Sequence, residues 1–159
     1  MHVARTLCAP AVVACLLAGV AAHSEAATSL PLVEAVKVGD HAGVRNLLRT
    51  QTNVNAREAD GTTALHWAVR ADDRELVRLL LRAGADVRAA NRYGVTPLQL
   101  AAVNGNASTA VMLLDAGANP NAVLPEGETV LMTAARTGQP DLLRLLLDRG
   151  ADLNAREKW

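Results

Sequence analysis

The sequence predicts an all-α solenoid of stacked helix-turn-helix units with projecting β-turns, and three observations carry that expectation. A block of residues returns at a fixed step of 33: Gly61-Thr62-Thr63-Ala64-Leu65-His66-Trp67-Ala68, Gly94-Val95-Thr96-Pro97-Leu98-Gln99-Leu100-Ala101 and Gly127-Glu128-Thr129-Val130-Leu131-Met132-Thr133-Ala134. A second block keeps the same step, in Gly84-Ala85-Asp86-Val87, Gly117-Ala118-Asn119-Pro120 and Gly150-Ala151-Asp152-Leu153. Periods of this size mark stacked repeat architectures. Finally, Ala and Leu fill 55 of the 159 positions, whereas the aromatic residues are only Trp67, Tyr93 and Trp159. Small side chains let helices approach closely, and a β-sandwich or barrel would draw on more aromatic and β-branched residues.

Charge and hydropathy exclude further classes. Sixteen basic and sixteen acidic side chains give a formal net charge of zero, and half the residues are hydrophobic. Disorder is disfavoured at that apolar content. A nucleic-acid binder would show a basic excess, and none exists across the chain.

Residues 1–26 read as a secretory signal peptide. Arg5 stands in a start without acids, Cys8 to Ala22 is an unbroken run of small and apolar residues, and small residues around Ala22 and Ala26 suit cleavage after either. The run is shorter than the roughly 20 residues a membrane-spanning helix needs. Both cysteines, Cys8 and Cys15, lie inside it, so the mature chain would hold none. Val12-Val13-Ala14-Cys15 resembles a lipobox, which would lipidate Cys15 and tether the protein to a membrane. Leu16 to Ala22 stays apolar after that cysteine, which speaks against lipidation.

The repeated positions each have a physical reason. Thr63, Thr96 and Thr129 suit helix N-caps, and Pro97 suits a first helical position, where its missing N–H costs nothing. Leu65, Ala68 and Val69 give a short first helix one apolar face. Gly105 and Gly138 allow the left-handed backbone that ends it, and Asp72 is a poorer choice at the matching place. Second helices are expected near 74–82, 107–115 and 140–148, with faces such as Leu76/Leu79/Leu80 and Leu142/Leu145/Leu146. Pro140 falls in the first turn of the last and is tolerated there.

This pattern resembles that of the ankyrin repeat family, which runs G-x-T-P-L-H-x-A-A, a polar loop, an L-L-L run and G-A-D-x-N. The resemblance implies an ankyrin solenoid with units at 60–92, 93–125 and 126–158. A degenerate unit at 30–59 has Leu30-Pro31-Leu32 in place of T-P-L, and Trp159 starts a further unit. It also implies that His66, in the T-P-L-H position, ties units together by hydrogen bonds. Gln99 and Met132 stand at the equivalent positions, which argues against a repeated ligand site. Trp67 replaces an aliphatic residue and is expected to pack in the core.

No motif for catalysis, cofactor or metal binding emerges. His41 beside Asp40 makes at most half a metal site, read here as a solvated loop. Asp86, Asn119 and Asp152 suit bonding to turn amides. Function is therefore expected on the surface, as binding of a protein partner of unknown identity and not nucleic acid. In the family, partners are held by turn tips and the adjoining first helices. Carried over, these are Asp60 and Thr62, Arg92, Tyr93 and Val95, Glu126 and Glu128, with helix positions Arg70, Val103, Asn104 and Arg136. Tyr93 with Arg92 is the most interface-like pair. Arg70 and Arg136 offer positive edges, with Val103 between them, to an acidic partner.

A last expectation concerns the far end. Array ends need polar caps, and Leu142, Leu143 and Leu146 have no evident cover in the sequence, which points to a longer protein, with self-association through that face or a fraying last unit as the alternative. The chain is thus expected to be an exported, non-enzymatic binding scaffold. The alternative is a regulatory or anchoring domain of a longer protein whose catalytic part lies beyond residue 159. A weaker third reading is a periplasmic protector of one enzyme.

Overall fold

A computed structural model describes residues 30–156. The expected signal peptide, the lipobox at Cys15 and the further unit begun at Trp159 lie outside those residues. The described chain folds into helix pairs in order: α1 (Pro31–Lys37) and α2 (His41–Arg49), α3 (Ala64–Arg70) and α4 (Arg74–Arg82), α5 (Pro97–Val103) and α6 (Ala107–Asp115), α7 (Val130–Arg136) and α8 (Pro140–Asp148). One pair falls in each expected unit. The first helices of successive units pack in one row (α1, α3, α5, α7) and the second helices in another (α2, α4, α6, α8). Turns precede the first helices of the later units, each closed by backbone bonds such as Glu58 N–H to Thr62 O and Leu124 N–H to Glu128 O, both at 2.9 Å.

Local chemistry sets the helix boundaries. Thr96 and Thr129 cap α5 and α7 by accepting from the amides of Gln99 and Met132. In α1 the cap position holds Leu30, which offers no side-chain acceptor, and Pro31 behind it removes one donor that would need one. Asp40, Asp73 and Asn106 cap the second helices through Gly43 N–H, Leu76 N–H and Thr109 N–H. Asp72 closes α3 at φ +55°, where Gly105 and Gly138 stand in the next two units. Its carboxylate is held by Asn106 and by the Thr109 hydroxyl of the following unit.

The core is a set of columns that repeat through the stack. Leu32, Leu65, Leu98 and Leu131 are buried in the first-helix row, as are Ala68, Ala101 and Ala134. Leu80, Leu113 and Leu146 are fully buried in the second-helix row. Hence Leu142 and Leu146 are not uncovered, contrary to the expectation for the last unit: both are 0% exposed because α8 turns them onto α7 and α6. Leu143 is half-buried against the same core. The exposed apolar side chains there are Leu147 and Leu153.

Polar ties fasten each unit to the next. Asn55 donates to Gly84 O and accepts from Asp86 N–H, and Asn121 makes the same pair with Gly150 O and Asp152 N–H. At the intervening position Arg88 reaches Gly117 O instead. Asp86, Asn119 and Asp152 each accept from the amide two residues on, as expected. His66 is 2% exposed. Its Nδ1 accepts from Thr63 N–H, so Nε2 carries the proton and donates to Val95 O of the next turn at 3.0 Å.

Two outcomes test this account. Leu113→Ala should cost about 2–5 kcal/mol in urea denaturation, the usual range for a leucine deleted from a closed core. Burial pushes the His66 pKa below its ordinary 6.5. The folded protein therefore resists a proton that the unfolded chain accepts. The His66 contribution is intact above about 6.5 and is lost as pH falls from there toward the folded pKa, by at most about 1.4 kcal/mol per pH unit. His66→Gln, which copies the residue at 99, should remove this part of the pH profile. Equal acid sensitivity in both proteins would refute the tie.

Candidate groove and its relation to the ankyrin family

Residues of the turns and of the first helices line a run of adjoining hollows, and this groove holds the candidate surface. Its central hollow, about 310 Å³, lies between the second and third units. Five expected surface residues line it: Asp60, Thr62, Arg70, Tyr93 and Val95. Arg92 walls the adjoining hollow. Its guanidinium lies 4.8 Å from the centre of the Tyr93 ring and donates to the Tyr93 hydroxyl at 2.6 Å. Tyr93 itself is 55% exposed.

The expected residues differ in what their polar groups already bond. Thr62 is buried, its amide and hydroxyl both donating to Asp60 at 2.9 Å. Those two bonds and the nearby Arg92 charge hold the Asp60 carboxyl below the usual carboxylate range. The Asn104 amide is spent on Val69 O and Arg70 O of the preceding unit, making it an inter-unit tie. Glu128 bonds Arg136 at 2.9 Å and the Thr133 hydroxyl at 2.8 Å, and these contacts lower its pKa. Glu126 is exposed on the last turn, and Val103 is exposed on α5.

Trp67 departs from the expectation of core packing. It touches the core with one edge but is only half-buried, and it lines the central hollow and both of its neighbours. Lys37 and Arg70 lie over its ring at 4.9 and 5.4 Å. Its indole N–H donates to Glu58, which also accepts from Lys37. Nothing periodic separates this position from the core: positions 34, 67, 100 and 133 carry Glu, Trp, Leu and Thr, and the buried column at 33, 66 and 99 is as mixed, with Val, His and Gln. Lys37 was likewise missed, although it stands one repeat before Arg70 and starts a column continued by Val103 and Arg136.

His41 is corrected too. It opens α2 instead of lying in a loop, with its ring 2.7 Å from Asp73 and 3.2 Å from Glu75 of the next unit. Asp40 is occupied as a cap. Among the described residues no group of three or more His, Cys, Asp or Glu side chains is gathered as a metal site.

No curated protein matches the chain. A family model described as ankyrin repeats (3 copies) matches residues 1–91, 32–124 and 90–157, overlapping stretches that together span nearly all of it. Ankyrin repeats are generally protein-interaction modules, and on this match, together with the stacked helix pairs, the chain belongs to the ankyrin repeat family.

Proposed function

We propose that this protein is an exported binding scaffold that holds a protein partner in the groove between its turns and first helices, without catalysis. The observation that carries the reading is the cluster at the middle of the groove. Trp67 and Tyr93, each with a cation over its ring, share one hollow with exposed Arg70. Tyr, Trp and Arg are the side chains that dominate binding energy at interfaces, because they combine large contact area with directional polar groups. Elsewhere the repeated polar positions serve caps, turns and ties between units, so the groove is where side chains are left over. The leader-like residues 1–26 support export.

Two measurements test the reading. A photo-crosslinking residue at Val103, exposed on α5 one repeat beyond Arg70, should capture a protein that the same residue at Arg78, on α4, does not. Equal capture at both positions would place the partner elsewhere. For export, mass spectrometry of the mature chain should find a start at His23 or Ala27 with no lipid. A start at Met1 in the cell extract would remove the exported part of the proposal and leave the scaffold.

A further inference from the structure

We infer that the central groove recognises an acidic peptide segment, one carrying a carboxylate beside a bulky apolar side chain, with Arg70 and Arg92 as the two anion receivers. The inference rests on the groove being the binding surface and adds the chemistry of what fills it. The floor is apolar where Trp67, Tyr93, Val95 and Leu100 meet. Exposed Val103, one repeat beyond Arg70, continues that character along α5. An apolar side chain of a partner has a seat there, which a small free anion would leave unused.

The charges around the floor are unequal in what they have left to offer. Its carboxylates are already engaged: Asp60 with the Thr62 amide and hydroxyl, Glu58 with the indole of Trp67 and with Lys37 at 2.7 Å. Farther along the same column, Arg136 is paired with Glu128. Arg70 and Arg92 differ. Among the described residues neither forms an ion pair, and each lies over an aromatic face. Stacking holds a guanidinium plane in place; Arg70 keeps its donor edge for a carboxylate, and Arg92, which gives one Nη–H to the Tyr93 hydroxyl, keeps its other donors. The hollows that these two arginines wall adjoin each other, sharing Asp60 and Trp67. A cationic segment would meet the charges of Arg70 and Arg92, of which that of Arg92 is partly offset by the nearby Asp60 carboxylate. A nucleic-acid strand could stack on the rings, but the zero net charge offers no wider basic surface to follow its backbone.

The test uses the full chain carrying Trp159→Phe, so that fluorescence reports Trp67 alone. A phage library of random peptides about twelve residues long is panned on it. Enriched sequences and a single-stranded oligothymidine are then titrated against this protein, against an Arg70→Ala/Arg92→Ala variant and against an Arg78→Ala/Arg82→Ala control. Expected are peptides with Asp or Glu next to a large apolar residue that shift the Trp67 emission. They should lose at least about tenfold affinity, or 1.4 kcal/mol, in the groove variant only. Thermal melting shows that both variants are folded, since all four arginines are exposed. Enriched peptides without carboxylates that still shift Trp67 would overturn the acidic class and keep the groove. Peptides bound equally by the groove variant, with Trp67 unmoved, would overturn both. No enrichment, or tighter binding of the oligonucleotide, would overturn the inference and leave the groove reading to the crosslinking result.

Discussion

A single helix pair of this length cannot seal its own apolar face, and the rest of the structure depends on that constraint. Each unit leaves leucines and alanines that only a neighbour in the same register can cover. The register is held by small side chains: Ala68, Ala101 and Ala134 are fully buried between adjacent first helices, where a larger residue would push the row apart. The 33-residue step follows, because any change of length in one unit would misplace the leucine columns on both sides. Stability is thus a property of contacts between units more than of any one of them.

Polar groups serve the same stacking in a second way. The turn-to-turn bond from Arg92 N–H to Asp60 O, the His66 bridge and the asparagine pairs all cross unit boundaries. Gly94 shows how tightly the tips approach, for a Cβ on it would meet the Pro125 ring at 2.7 Å. These ties fix how each unit sits on the next. The groove's frame thus rests on repeated residues, while its chemistry is decided by the exposed ones.

That division explains what could be read from the sequence. Leu65, Leu98 and Leu131, or Thr96 and Thr129, announce their roles because each copy faces the same neighbours. The second-helix limits were legible for the same reason. Trp67 and Lys37 were not, because the groove is built from positions at which the copies differ, and a periodic argument has no second instance to compare. His41 was hidden differently: its partners Asp73 and Glu75 lie one unit away, at a distance that only the stacking makes short. Asn104 shows the opposite error, since its position in the family pattern suited contact with a partner while its amide is consumed within the stack.

Lys37 carries one more consequence. It belongs to the unit whose sequence has drifted furthest from the repeat, yet it covers one side of the Trp67 ring and meets Glu58 beneath it. Tyr93 and Leu100, on the other side of the hollow, belong to the third unit. The surroundings of Trp67 are thus shared by three successive modules, none of which contains them all. Removing or exchanging one of them would not shorten a uniform groove but would replace its chemistry altogether. The drifted first module, easily taken for a worn end piece, lines the hollow beside the central one and sets a cation over the Trp67 ring.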